Sequence, residues 1–314
     1  RLTAAAQRPM AITILQRDNK PEEWRRITGW IAEANDDGVA MLGQVLTRPT
    51  GILLGFEISQ NPFMALPSYQ AIAELPFGQR IAALRDTGLR ARLLSENTDD
   101  TVLARRIARW DRIFPLGDPP DYEPAPDASI AARAQREGRS PAEVAYDLLL
   151  ENGGKTILYR PLSNYTYGNL DTVHDMLTHR ATIVGLGDGG AHVGILCDSS
   201  AISTMLTHWT RDRTRGAKVS LPWAIKRVTS DSANAIGLSD RGVVAPGYKA
   251  DLNVIDYDRL SLRVPEVVYD LPSGGRRLIQ RADGYEATIV SGVPVYRNGE
   301  ATGALPGRLV RGAR

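Results

Sequence analysis

The sequence has few of the features that mark disulfide-rich, membrane-spanning or nucleic-acid-binding proteins. One cysteine, Cys197, occurs in 314 residues, which excludes a disulfide scaffold. No run of about 18 apolar residues is present, so no transmembrane helix is expected, and the first residues lack the apolar core of a signal peptide. Lys and Arg (38) nearly balance Asp and Glu (36), without a basic stripe. We therefore expect a cytoplasmic globular protein with no nucleic-acid and no membrane partner.

The start of the chain has the pattern of a strand, a helix and a second strand. Met10–Gln16 is short, apolar and β-branched, which is typical of a buried strand. Pro21 and the acidic residues after it suit the first turn of a helix, and apolar residues then recur at a spacing of three to four. A second strand is predicted at Val39–Leu46. This order favours a parallel βαβ unit.

The rest of the chain predicts an α/β region followed by a β-rich region. Two further strands are predicted at Thr156–Tyr159 and Thr182–Leu186, with a helix at Leu170–Thr178 between them. We predict that residues 1–237 form one domain with a helical insertion at 47–153, and that residues 238–314 form a small β-structure. Within the insertion, the four prolines of 117–127 predict a surface loop.

A carboxylate set among glycines follows the fourth predicted strand. Asp188 has Gly187, Gly189 and Gly190 as neighbours, and His192 follows four residues later. Active sites of parallel α/β barrels lie at the carboxyl ends of the strands. A carboxylate and an imidazole there can bind a divalent metal or take a proton from metal-bound water. The alternative is that Asp188 caps the next helix.

Three stretches carry a resemblance to a known family. They are VGLGDGGAHVG at 184–194, RGVVAPGYKADLNVID at 241–256 and TIVSGVPVYRNGEATGALPGRLVR at 288–311. Together they resemble the metal-dependent amidohydrolase superfamily, and within it the D-aminoacylase (N-acyl-D-amino-acid deacylase) branch. The resemblance implies an α/β fold: the C-terminal half of a (β/α)8 TIM-type barrel, strands five to eight, plus part of a small β-sandwich.

The resemblance also implies an activity. It is the metal-dependent hydrolysis of a C–N (amide) bond in a small molecule, with a divalent metal, expected to be zinc, as cofactor. Asp188 is similar to the strand-eight aspartate that contacts the metal and shuttles the proton. His192 matches a histidine of the branch, either as a catalytic group or as one that orients the loop.

The chain departs from the family in its histidines. The superfamily carries a His-x-His pair on strand one and a ligand histidine on strand five. Here the four histidines contain no such pair, and none falls in Met10–Gln16; they are His174, His179, His192 and His208. The chain also starts at Arg1 instead of Met. We therefore expect the ligand histidines to lie outside this chain, on a second polypeptide or precursor segment that carries strands one to four.

Several residues near the expected site have two interpretations. Ser163, Asn164, Tyr165 and Tyr167 follow the third predicted strand, as substrate-binding residues or as a packed loop. Arg48 is expected at the surface, with pairing to a substrate carboxylate as the alternative. For the whole chain, the alternative to an enzyme is a non-catalytic regulatory or scaffold subunit derived from an amidohydrolase. Substrate, stereochemistry, metal number and oligomeric state stay open.

Overall fold

The computed structural model describes residues 2–96, 109–185, 187, 190 and 192–311. Its strands, numbered in chain order, are β1 (Met10–Thr13), β2 (Met41–Val45), β3 (Gly51–Leu54), β4 (Phe114–Pro115), β5 (Leu158–Pro161), β6 (Thr182–Val184), β7 (Leu252–Ile255), β8 (Ser261–Leu262), β9 (Glu266–Leu271), β10 (Gly275–Ile279), β11 (Ala282–Asp283), β12 (Tyr285–Val290), β13 (Val293–Arg297) and β14 (Glu300–Ala301). The α-helices span Leu2–Ala6, Glu23–Asp36, Pro67–Gln70, Phe77–Leu84, Thr87–Ser95, Ile130–Glu137, Pro141–Leu150, Asp171–Thr178, Ala201–Thr207, Leu221–Val228 and Ser230–Ala235.

A parallel sheet of order β1-β2-β6 is formed by the ends of the predicted α/β region. β1 pairs with β2 in the register Met10↔Met41, and β2 pairs with β6 in the register Gly43↔Thr182. Gly43 is required here, because a Cβ at this position would lie 2.7 Å from Ile14 Cγ1. The predicted βαβ unit is therefore confirmed, and the fold is a mixed α/β one.

The prediction that the third strand joins this parallel sheet is wrong. β5 instead pairs antiparallel with both β3 and β4 in a separate three-stranded sheet. The pairing depends on Gly51, since a Cβ there would lie 2.5 Å from the Tyr159 ring. Both β3 and β4 fall within 47–153, so the predicted helical insertion also contains two strands. An apolar run does not reveal which strand will be its neighbour.

The segment between β3 and β5 builds a core of its own. Phe56 and Phe63 each pack edge to face against Tyr146, with ring centroids 5.2 Å apart for Phe63 and Tyr146. The Tyr146 hydroxyl donates a hydrogen bond to the Leu84 carbonyl. The helix Pro141–Leu150 begins with a capping box, in which Ser140 and Glu143 satisfy each other's backbone N–H groups.

The C-terminal region is β-rich, as predicted. Its largest sheet has the order β14-β13-β12-β7, and all its pairs are antiparallel. The β12–β13 turn passes through Ser291 and Gly292, both at positive φ (51° and 81°), which suits a two-residue hairpin. The division into domains at residue 237 stays a prediction. Throughout the described part of the chain, no helix combines the length and the apolar composition that crossing a bilayer requires.

We predict that Asp251→Ala and Asp256→Ala lower the stability of the protein and leave its catalytic rate unchanged. The Asp251 carboxylate accepts the Ser291 N–H (2.8 Å) and pairs with Arg241 (3.3 Å), and that of Asp256 accepts the Arg259 N–H (3.2 Å). Losing such bonds costs about 1 kcal/mol each. Thermal melting should shift down, while any catalytic rate per folded molecule stays unchanged. A selective loss of rate at an unchanged melting temperature would contradict a purely structural role.

Candidate functional site

The carboxyl ends of the three parallel strands meet at one edge of the sheet. Beyond β1, the Ile14 N–H donates to the Gln44 carbonyl (2.9 Å), and the segment continues to the buried Gln16. Beyond β6, the Gly185 N–H donates to the Val45 carbonyl (3.0 Å). A Cβ at Gly185 would lie 2.8 Å from Gln44 Cβ, so this strand end passes close to β2. The edge is where a parallel α/β fold places its active site.

The central predicted residue, Asp188, lies outside the described residues. Of the other glycine-loop positions, His192 is described: it is exposed and has a positive φ of 52°. Its carbonyl accepts the N–H groups of Ile195 (2.9 Å) and Leu196 (3.0 Å) in a tight turn. The carbonyl groups of Val193 and Gly194 in this turn accept the N–H groups of Leu278 and Ser59. The turn is therefore held by two other segments of the chain. The roles assigned to Asp188 and His192 stay predictions.

A divalent metal does not fit the described residues by themselves. No group of three or more His, Cys, Asp or Glu side chains within 2–96, 109–185, 187, 190 and 192–311 could hold a metal ion. The other histidines are engaged elsewhere. His208 Nε2 lies 2.8 Å from Glu123 Oε2, and His179 Nδ1 accepts the Ala181 N–H (3.2 Å).

Ser163 and Asn164 lie at the end of β1. The Gln16 N–H donates to Asn164 Oδ1 (2.8 Å), and the Asn164 N–H donates to the Gln16 carbonyl (2.9 Å). Asn164 is fully buried and has a φ of 61°, a conformation that Asn tolerates better than most residues. The predicted loop is therefore at the carboxyl edge of the sheet, although β5 before it belongs to the other sheet.

The hydroxyl groups of Tyr165 and Tyr167, both predicted as substrate-binding residues, are hydrogen-bonded within the protein. The Tyr165 hydroxyl donates to the Pro124 carbonyl, and burial raises the pKa of this side chain to about 12. The hydroxyl of the half-exposed Tyr167 donates to Glu22 Oε1 (2.6 Å), and this bond raises the pKa of Tyr167. Both contacts support a packed loop at these two positions.

Sequence reasoning missed Gln16 as a site residue and misplaced Arg48. A polar residue directly after a buried strand was the available signal for Gln16. Arg48 is not on the surface; it is 2% exposed, and its guanidinium lies 3.9 Å from the Tyr122 ring centre. It also donates to Ser200 Oγ (3.1 Å) and to Asp198 Oδ1 (3.3 Å). Arg48 therefore ties β2 to the segment after the glycine loop.

The proline-rich segment predicted as a surface loop carries a buried carboxylate, Glu123, instead. Glu123 Oε2 accepts from Arg213 Nε (3.0 Å) and pairs with His208, while Oε1 accepts the Leu170 N–H (2.8 Å). Arg213 also donates to Asp171 (2.7 Å). Burial alone would raise the pKa of Glu123, but hydrogen bonds from His208, Arg213 and Leu170 outweigh it and lower the pKa to about 2. We call these five residues the Glu123 cluster.

The Glu123 cluster also fixes the end of β2. His208 begins a π-helical turn, His208–Asp212, and Trp209 in that turn is fully buried. The Trp209 indole N–H donates to the Thr47 carbonyl (2.6 Å), directly after β2. His208 meets the Trp209 ring edge to face at 5.6 Å. The Glu123 cluster and the buried Trp209 thus hold the backbone at the carboxyl end of β2.

Comparison with known proteins identifies the family. The sequence pattern described as "Amidohydrolase family" matches residues 1–296. This chain therefore belongs to the amidohydrolase family, which confirms the family predicted from the three motif stretches.

Individual relatives match only in part. Adenine deaminase 1 of Rhizobium meliloti (strain 1021) is 38% identical over 103 residues, which cover 28% of this chain and 18% of the deaminase. A D-aminoacylase crystal structure matches at a TM-score of 0.49 and 16% identity, over 96% of this chain and 50% of that one. The structure of an N-acyl-D-glutamate deacylase from Bordetella bronchiseptica, complexed with zinc and a phosphonate inhibitor, matches at a TM-score of 0.44 and 18% identity. This match covers 96% of this chain and 51% of the deacylase. The chain spans about half the length of these solved structures.

We predict that Glu123→Gln destabilises the protein strongly at neutral pH. The substitution removes the buried charge partner of the fully buried Arg213 and leaves it only the exposed Asp171; breaking a buried ion pair typically costs about 3–5 kcal/mol. The folded pKa of Glu123 is about 2 against an ordinary 4.5, so its contribution of roughly 3 kcal/mol is present above pH 4.5 and is lost as the pH falls toward 2. Urea unfolding of wild type and variant between pH 7 and pH 3 measures this difference.

The matched control is Glu137→Gln. Glu137 also accepts from an arginine, Arg133 (2.6 Å), but at the surface, where solvent screens such pairs. The control should unfold at nearly the wild-type urea concentration at every pH. A Glu123→Gln variant as stable as the control at pH 7 would show that the Glu123 cluster contributes little.

Proposed function

We propose that this chain is the C-terminal half of a metal-dependent hydrolase that cleaves a C–N (amide) bond, most similar to the N-acyl-D-amino-acid deacylases. The observation that carries the proposal is the family match over residues 1–296. The glycine-rich loop after β6 and the C-terminal motif stretches support the deacylase branch. A small-molecule amide is the proposed substrate, and a divalent metal, with zinc as the expected ion, is the proposed cofactor.

The parallel sheet supports a half barrel. β1 and β6 are its edge strands, and each pairs on one side only within it. Parallel strands are normally covered on both faces and paired at their edges, since an open edge is a site of association. We infer that these strands belong to the C-terminal half of a (β/α)8 barrel, and that a second polypeptide or segment carries strands one to four and the ligand histidines.

The proposed chemistry of this chain belongs to Asp188. Its carboxylate takes a proton from the attacking water as the water oxygen bonds to the amide carbon. It then delivers that proton to the leaving nitrogen as the C–N bond breaks, which yields a carboxylic acid and an amine. His192, exposed in the same glycine-rich loop, is proposed to assist this step or to orient the loop.

A second candidate reaction is deamination of an amino-substituted ring. The specific observation in its favour is the local match to adenine deaminase 1. Both reactions break a C–N bond with water, and their products separate them: a deacylase releases a carboxylic acid and an amino acid, whereas a deaminase releases ammonia. The third candidate, a non-catalytic regulatory or scaffold subunit, predicts neither product.

We predict that Asp188→Asn abolishes turnover while the fold survives. Asn keeps nearly the volume of Asp but cannot accept the proton, and a general base contributes about 10²- to 10⁴-fold in rate. The natively purified protein, metal content measured, is assayed with N-acetyl amino acids and with adenine. The control is Asp175→Asn, an exposed carboxylate 3.3 Å from Arg25. Turnover near the wild-type level in Asp188→Asn would reject this role.

We also predict that the native protein holds this chain against further polypeptide through a core-like interface. Its area should exceed the roughly 1,600 Å² of a standard interface, because the contact completes a sheet. Native mass spectrometry of the complex counts the chains and the bound metal ions. Residues 1–314 produced alone should aggregate and bind zinc weakly. An active, monodisperse monomer of these residues would refute the proposal of a shared site.

A further inference from the structure

Two neighbouring side chains at the end of β1 carry buried polar atoms that lack an acceptor. Asn164 Nδ2 and Ser163 Oγ are both inaccessible to solvent, and neither has a hydrogen-bond partner in the described part of the chain. Asn164 is 0% exposed and Ser163 is 8% exposed. A buried polar group without a partner is rare and costly, so each such group requires a physical reason.

Gln16 fixes the direction of these donors. Its backbone holds Asn164 through the N–H to Oδ1 bond (2.8 Å), and this bond uses the carboxamide oxygen. Only the Nδ2 donor of Asn164 is therefore left for another group. The Gln16 side chain also accepts the Thr166 N–H of this loop (3.1 Å) and donates to Thr172 Oγ1 in the helix that follows it (3.1 Å). The loop that carries the two unpaired donors is thus fixed.

We propose that Ser163 Oγ and Asn164 Nδ2 bind the carboxylate of an N-acyl amino acid, and that Gln16 is the residue that positions them. The proposal rests on the proposed function and deepens it by assigning the group that the site recognises. Ligand entry requires the side chains that cover the two donors to move aside.

The chemistry of the two groups favours a carboxylate. An amide N–H and a hydroxyl on consecutive residues offer two donors, and hydrogen bonds to a charged acceptor are stronger than neutral ones. The place fits as well. β1 and β6 flank β2, so their ends lie roughly 10 Å apart. Donors at β1 therefore suit a part of the substrate away from the bond that Asp188, which follows β6, is proposed to act on.

The test compares two ligands that differ by the carboxylate. Calorimetry on the natively purified protein measures the Kd of N-acetyl-D-leucine and of its decarboxylated analogue, N-(3-methylbutyl)acetamide. The variants are Ser163→Ala and Asn164→Asp; Asp keeps the oxygen that Gln16 binds and removes the donor. We expect each variant to weaken binding of the acid by about 10-fold or more and to leave the neutral amide nearly unchanged. Asn152→Asp, the same change at another positive-φ asparagine, should alter neither Kd.

Gln16→Met tests the positioning role. It removes the side-chain bonds to Thr166 in the loop and to Thr172 in the next helix at similar volume, so we expect the same selective loss for the acid, although Gln16 itself contacts no ligand. A loss that is equal for both ligands would point to a general disturbance of the fold and overturn this role.

The remaining outcomes separate this inference from the proposed function. Binding of the acid without hydrolysis, lost in the two variants, would uphold the carboxylate site and reject the hydrolase. Hydrolysis with unchanged Kd and KM in both variants would reject only the carboxylate site. Lower melting temperatures with unchanged affinities would show that ordered water occupies the donors, which also overturns the inference. Failure of wild type to bind either ligand would overturn it as well.

Discussion

The structure depends on a buried carboxylate that is surrounded by donors. Glu123 brings together three segments that are far apart in sequence: the proline-rich stretch, the start of the helix Asp171–Thr178 and the turn that contains His208 and Arg213. A buried charge is tolerated only when it is paired and hydrogen-bonded. The four bonds to its two carboxylate oxygens meet that condition. Each of the three segments is therefore held by a polar requirement as well as by apolar packing.

This support reaches the edge where the candidate site lies. Trp209, next to His208, binds the Thr47 carbonyl at the end of β2. Leu170, whose N–H binds Glu123, follows the loop that holds Ser163 and Asn164. The polar cluster beneath the sheet and the loop at its carboxyl edge are thus connected through short stretches of backbone. Rigid support of this kind is what a precise binding site requires.

Local patterns predicted the secondary structure well and the tertiary partners poorly. The strand–helix–strand start was predicted from short-range rules and is observed. The capping box at Ser140 and the hairpin through Ser291 follow short-range rules of the same kind. The partners of β5 depend on the close approach of Gly51 to Tyr159, which no local pattern encodes. The burial of Glu123 and of Arg48 could not be predicted for the same reason, because it depends on hydrogen-bond partners from distant segments. Gln16 was identified as a strand end, but its bonds to a loop 148 residues away were not predictable.

The two strands at the ends of the segment between β3 and β5 are paired with each other beside the candidate site. β3 pairs with β5, and the N–H groups of Leu162 and Ser163 both donate to the Thr50 carbonyl (2.7 and 3.2 Å). The segment between β3 and β5 therefore leaves the sheet and returns to it at the same place. Because the entropy of closing a flexible loop grows only by about 0.6 kcal/mol for each doubling of its length, the length of this segment adds little to the cost of bringing the two strands together. The pairing of β3 with β5 and the bonds to the Thr50 carbonyl therefore hold Ser163 and Asn164 in place independently of how long the intervening segment is.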